Sequence, residues 1–233
     1  MTTYFVSNAG SNTAPYDTEA KAATTLGVIA ALPWAATDVV KISSTHTETA
    51  GAAITYTFPA TVGLQLLSVT FDGAGTGGVA VGAAINVGAA NAAFTLDTGY
   101  VYAYGITFNG ATNNNAASDL FICNTTATPS GQKYESCTFA KGSTTAGSIV
   151  QFGPNANASN DDLIFEFVNC TFSRGEGASY VIRCGWFIFT GIAFAGTIPT
   201  TLFAPTAACT FSIFVTASNV SAVNLINVGV ATP

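Results

Sequence analysis

Chemistry needs groups that titrate, ligate or attack, and this chain of 233 residues holds few of them. Its one histidine, His46, stands between Thr45 and Thr47. An imidazole can carry a proton or bind a metal, but this setting reads as an ordinary polar position. Asp161 and Asp162 form an adjacent acidic pair in an Asn-rich stretch. Two carboxylates can act as acid and base or share a cation; in such a loop a solvated pair is the plainer reading. Arg183 is the best single catalytic candidate, because it lies in strand-like sequence and Gln151 takes its place one repeat earlier. No carboxylate strand faces it in any register the sequence offers. Gly73–Gly78 matches G-x-G-x-x-G, which cradles a dinucleotide only where a helix follows the strand. Here Val79 to Leu96 alternates in β fashion, so a tight corner is expected. The Ser-rich segments contain no G-x-S-x-G. Catalytic, cofactor-binding and metal-binding residues are therefore all set at none, and no cofactor is expected.

The five cysteines are Cys123, Cys137, Cys170, Cys184 and Cys209. No pair has C-x-x-C spacing, which disfavours zinc. Cys137 and Cys170 fall at matching places in a repeated phrase and are close enough on paper for a disulfide. The odd total, the β contexts and the absence of an export signal predict buried free thiols instead.

The phrase that positions them organises the chain. Glu135–Gly142 reads ESCTFAKG and Val168–Gly175 reads VNCTFSRG. Looser copies are SVTFDG (Ser68–Gly73), GITFNG (Gly105–Gly110) and GIAFAG (Gly191–Gly196). Their phenylalanines fall at 71, 108, 139, 172 and 194. Return at this spacing is the mark of a solenoid. Residues two apart in a strand share a face, so Cys137 and Phe139 point one way and Thr138 the other. Stacked rungs would place successive phenylalanines about 4.8 Å apart, each contributing about 1.5–3 kcal/mol on burial. A second strand follows each phrase: Asp119–Asn124, Gly147–Gly153 and Ser179–Gly185 align, and Leu163–Phe167 and Trp186–Phe189 precede the next phrase. The polar stretches Asn113–Ser118, Thr125–Gln132 and Pro154–Asp162 read as contact loops.

Only 8% of residues are charged while 49% are hydrophobic. Aromatic and β-branched residues are plentiful, which argues against disorder. The net charge is −6 and there is no basic cluster, so no nucleic-acid partner is expected. Met1–Ser7 carries no basic signal region, and no window has the run of apolar residues a membrane span needs, so no membrane is expected. An uncharged surface suits a protein that lives against partners.

At the N-terminus, Thr3–Val6 reads as a strand and Ser7–Tyr16 as a loop. Asp17 or Thr18 is placed to cap a helix over Ala20–Leu32, the one good helical pattern, ended by Pro33. Asp38–Ser43 is the next strand. The order YFVSNAGSN, PYDTEAKAATTL, DVVKIS, THTET resembles the start of right-handed parallel β-helix proteins of the pectate-lyase-like class, most of all those of tailed bacteriophage particles. The motif likeness covers residues 4–48, and the repeat pattern covers 64–220.

The resemblance implies a single-stranded, all-β, right-handed parallel β-helix with one N-terminal capping helix. Residues 1–48 would lead into the first rung and 49–233 would form the body, in one structural domain. It also raises polysaccharide cleavage. Lyases of the class hold calcium with clustered carboxylates beside an Arg or Lys base, and galacturonase-like hydrolases use several aspartates and a G-H-G; Arg183, Asp161–Asp162 and His46 do not assemble either set. The function expected is therefore non-enzymatic: a capsid decoration (cement) protein that binds the major capsid protein, as a homotrimer, on the virion exterior after synthesis in the host cytoplasm. The alternative is a tailspike-type glycan-binding or polysaccharide-cleaving module; Ser/Thr/Asn ladders could bind a glycan weakly. The tail, Thr210–Val230, stays β-rich with no charged cap, so another chain is expected to cover it.

Overall fold

The computed structural model describes residues 1–35, 37–58, 63–88, 93–97, 99–110, 120–122, 131–141, 150–153, 163–174, 180–182, 185–197, 201–205, 211–216 and 224–226. They form an all-β, solenoid-like stack of three parallel sheets, A, B and C, of eight, six and seven strands. β1 (Thr3–Val6) begins sheet A. Each later turn gives one strand to A, then B, then C. The first turn is β2 (Val39–Ser43), β3 (Thr47–Ala50) and β4 (Ile54–Thr57), and the second β5 (Gly63–Val69), β6 (Ala83–Val87) and β7 (Phe94–Asp97). Then come β8 (Tyr100–Tyr104), β9 (Ile106–Gly110) and β10 (Leu120–Ile122), followed by β11 (Gly131–Glu135), β12 (Thr138–Lys141) and β13 (Val150–Phe152). The fifth turn is β14 (Ile164–Val168), β15 (Thr171–Arg174) and β16 (Tyr180–Ile182), and the sixth β17 (Gly185–Thr190), β18 (Ala193–Gly196) and β19 (Thr201–Pro205). β20 (Phe211–Thr216) and β21 (Asn224–Ile226) extend sheets A and C. Every pairing between these strands is parallel.

The core is built of columns, because in-register parallel strands place like positions above one another. In sheet B, Phe108 pairs with Phe139, Phe139 with Phe172 and Phe172 with Phe194. Their ring centroids are 5.7, 5.4 and 5.5 Å apart with near-parallel planes. Sheet A answers with Tyr134, Phe167 and Phe189, stacked at 5.6 and 5.1 Å. The two columns meet edge to face, Tyr134 to Phe139 at 5.1 Å, the geometry that aromatic quadrupoles favour.

Phe71 does not belong to the sheet B column, contrary to the reading of SVTFDG as another copy of the phrase. It lies past the end of β5, a sheet A strand, and packs edge-on against Phe5 at 5.7 Å. Ile85 holds the column position beneath Phe108. The letters of the phrase recur there by coincidence of β-forming residues, whereas the true copies share a backbone corner. Gly105, Ser136, Asn169 and Gly191, which join the A and B strands, all have φ between 52° and 69°. At Gly191 a Cβ would lie 2.4 Å from Asn169 Oδ1, so a side chain there would have to displace the Asn169 amide. The inter-rung ladder runs straight through the corner: Gly105 N–H donates to Glu135 O, Ser136 N–H to Val168 O and Asn169 N–H to Thr190 O, at 3.0, 2.9 and 2.8 Å. The matching Gly142 and Gly175 lie outside the described residues.

The helix expected over Ala20–Leu32 is broken in two. A 3₁₀ turn at Glu19–Lys21, capped by Thr18 Oγ1 accepting from Lys21 N–H, precedes α1 (Leu26–Ala30). Between them Ala23 is extended, because its N–H donates to Phe5 O and its carbonyl accepts from Ser7 N–H, each at 2.8 Å. Pairing with β1 outweighs the weak helical propensity of Ala22–Thr25, which ends in two β-branched threonines. Leu26 and Ile29 of α1 are fully buried in the core.

Candidate functional site

His46 is not an exposed polar residue. It is buried, with Nδ1 3.2 Å from Asn8 Oδ1 and Nε2 3.5 Å from Glu48 Oε2. Strand parity puts Glu48 on the inner face of β3, directly beneath Ile85, so a carboxylate occupies the lowest place of the column that phenylalanines fill above. Oε2 of Glu48 accepts from Leu26 N–H, the first amide of α1, at 2.8 Å, and Oε1 accepts from Tyr56 O–H. Thr25, the residue before α1, makes no side-chain cap, so Glu48 supplies that function from another strand. Burial, together with the bond to Glu48, pushes the Tyr56 phenol well above its ordinary range. One cluster thus ties together the Asn8 loop, α1, β3 and β4. It is enclosed, and its hydrogen bonds serve the fold. Sequence reasoning passed over Glu48 and Tyr56; the available signal was an acid on the inward parity of an otherwise apolar rung.

The loop Gly73–Gly78 returns on itself without a helix, Thr70 N–H donating to Gly78 O at 3.0 Å. Its amides are occupied by acids of this chain. Glu19 accepts from Asp72 and Gly73 N–H, and Asp72 accepts from Ala74 and Thr76 N–H and from the Thr76 hydroxyl. The Thr76 hydroxyl and the Ala74 amide hold the Asp72 carboxyl down at about 2.

Cys137 and Cys170 are free and buried. They occupy an inward column that continues through Ile106 and Ala83 below and Ile192 above, all also buried. A thiol here takes the inward place that an isoleucine takes one turn away. Burial pushes Cys170 up to about 12, and burial together with its neighbour Cys170 raises Cys137 likewise. Such thiols are poor nucleophiles. Cys123, Cys184, Cys209, Arg183 and the Asp161–Asp162 pair lie outside the described residues, as do 113–118 and 154–162. The expected match of Arg183 with Gln151 is corrected by the register: Gln151 pairs with Val181, two residues earlier. Aligning on the shared glycine caused the slip, since Gly185 already begins β17 of the next sheet A strand. Gln151 is buried and donates to Gly153 O at 2.8 Å. Of the stretch read as a loop over Thr125–Gln132, Gly131 and Gln132 are strand, and Gln132 is buried with Nε2 donating to Gly99 O and Oε1 accepting from Tyr134 O–H.

What faces outward differs from sheet to sheet. The outer face of sheet B has two columns, Thr47–Ala84–Thr107–Thr138–Thr171–Ala193 and Thr49–Asn86–Asn109–Ala140–Ser173–Ala195. None of these twelve side chains ionises. The outer face of sheet A is aromatic and mixed. Trp186 and Phe214 stack at 5.8 Å, both nearly half exposed, with Ile164 exposed beside them, and Lys133 pairs with Glu166 at 3.1 Å. Tyr102 O–H donates to Glu135 Oε2 at 3.0 Å; burial and that carboxylate push its pKa up to about 12. Among the described residues no group of three or more His, Cys, Asp or Glu is gathered as metal ligands, and no helix is long and apolar enough to cross a membrane.

Comparison of the chain with protein-family models, with curated proteins and with solved structures finds no match.

Proposed function

We propose that this chain is a structural protein without catalytic activity, a capsid decoration protein of a tailed bacteriophage. In this reading it is a right-handed β-helix whose α1 plugs the N-terminal end, it forms a homotrimer, and it binds the major capsid protein on the outside of the shell. The observation that carries the reading is the outer face of sheet B, six strands deep and free of ionisable side chains. Flat arrays of small neutral residues let two surfaces approach closely without desolvating charge. Right-handedness follows the general preference of parallel strands joined by a crossover. Cyclic symmetry is the common way for identical chains to bury such a face. The phage setting rests on the resemblance of residues 4–48.

Light scattering on the purified protein, then co-sedimentation with shells lacking it, tests this reading. A trimer that pellets with shells supports it. A monomer that ignores shells and depolymerises a capsule polysaccharide overturns it in favour of a tailspike-type module.

A further inference from the structure

The outer side of sheet A is covered at one end and open along the rest. At β2 the Gly73–Gly78 loop lies against it, with Lys41 Nζ donating to Gly75 O at 2.6 Å. From β5 to β20, six strands, the outward side chains reach solvent. Gln65, Ile164, Trp186 and Phe214 are exposed, and Lys133 and Glu166 partly so. One outward column reads Gln65–Tyr102–Lys133–Glu166–Ile188–Phe214 up the stack. In the column beside it, Gly131 is followed by Ile164 and Trp186. The exposed apolar side chains thus gather on the upper strands. The middle of the open face carries the ion pair, Lys133 on β11 and Glu166 on β14, at 3.1 Å.

We propose that two copies of this chain pair face to face through the outer side of sheet A, about a two-fold axis lying along the strands between β11 and β14. Such an axis keeps each column in place and reverses its order. Lys133 then meets the partner's Glu166, and Glu166 meets the partner's Lys133. Opposite signs face each other at both places, so the two intrachain pairs join in one alternating network. Tyr102 meets the partner's Ile188. Ile164 meets the partner's Gly131, which offers room: a Cβ built on Gly131 would meet only Tyr100 Cδ1, at 3.9 Å. Glu135 stands at the rim, one residue before the Ser136 corner, and keeps the Tyr102 hydroxyl as its donor.

Other placements of the axis fail. On β11 it would set Lys133 against itself, and on β14 Glu166 against itself, which like charges oppose. Between β14 and β17 it would press Lys133 onto Phe214. The axis that satisfies the charges is also the one that centres the open face, and such self-complementarity is what a two-fold contact requires. Each of the six strands is at least five residues long. At about 4.8 Å between strands and about 3.3 Å per residue, the flat footprint is roughly 450 Å² per copy. That is the size of a reversible contact, not an obligate one.

The pairing goes beyond the shell-binding reading, in which sheet B carries the contacts. Its test is a charge swap between copies. Lys133→Glu and Glu166→Lys each place like charges across the axis, so neither variant pairs with itself. Mixed in equal amounts, they restore opposite signs at both places. Both variants stay net negative, so mixing adds no general attraction. The two side chains are 43% and 37% exposed, so both variants are expected to fold, which melting temperatures check. Sedimentation velocity at about 0.1 mM protein suits a micromolar contact. The expected result is a doubled mass for the wild type and for the mixture, relative to either variant alone. Ile164→Asp built into both variants should return the mixture to the smaller mass. The inference is overturned if the wild type has the mass of the variants, if the mixture does not double, or if it still doubles with Ile164→Asp. The two readings fail separately. Variants that are trimers and do not double on mixing sink the pairing alone, and variants that are monomers and do double sink the trimer alone.

Discussion

At the residue scale, single positions act through their column. Phe139 touches Phe108 below, Phe172 above, and Tyr134, Phe152 and Phe167 across the core. Phe139→Ala should cost about 3–5 kcal/mol, since rings above and below are held by their own strands and cannot fill the void; urea denaturation of the variant measures it. The cysteines give a pH prediction. The folded state raises the Cys170 thiol from 9.0 to about 12 and raises Cys137 too. The folded protein then holds these protons more tightly than the unfolded chain. Their contribution to stability is complete below pH 9.0 and is lost as pH climbs toward about 12. Denaturation midpoints that fall across that span, with slow alkylation of both thiols in the native protein at neutral pH and fast alkylation once unfolded, are the expected result.

At the element scale, α1 depends on a side chain of another strand. Glu48→Ala would leave Leu26 N–H and Tyr56 O–H buried without an acceptor, at a cost of about 2–4 kcal/mol, while Tyr56→Phe, which leaves the Leu26 bond in place but takes the donor from Glu48 Oε1, should cost about 1–3 kcal/mol. Amide exchange over Leu26–Ala30 should speed up in the first variant and hold in the second. This dependence also explains what the sequence could and could not reveal. The B strands were legible because Phe108, Phe139, Phe172 and Phe194 repeat in one register behind a corner that must take positive φ. β1 and β2 were legible as short runs of aromatic and β-branched residues. The unbroken helix was misread because nothing local marks Ala23 as a partner for Phe5 and Ser7, a pairing that exists only once the chain has folded back. The slip at Gln151 has the same origin: a glycine that ends one strand and a glycine that begins another are the same letter.

At the scale of the whole molecule, the scarcity of charge sets the expected behaviour. With 8% of residues charged, and sheet B neutral on its outer face, an assembly through that face has few ion pairs for salt to screen. Trimer and shell binding measured from low to high ionic strength should change little. A steep loss of either with added salt would place the contact on sheet A, where Lys133, Glu135 and Glu166 stand.

The parallel pairing of all three sheets has a mechanical consequence. Strand-to-strand hydrogen bonds run along the stack, and described residues near the two chain ends, in β1 and β21, lie toward its opposite ends. A pull on the termini therefore loads the bonds one rung at a time, and turns would peel off singly, each releasing roughly 100 Å of chain. A force applied across the stack instead meets the bonds of many rungs together. A particle that uses this protein as a brace would do best to lay it with its axis square to the direction of strain.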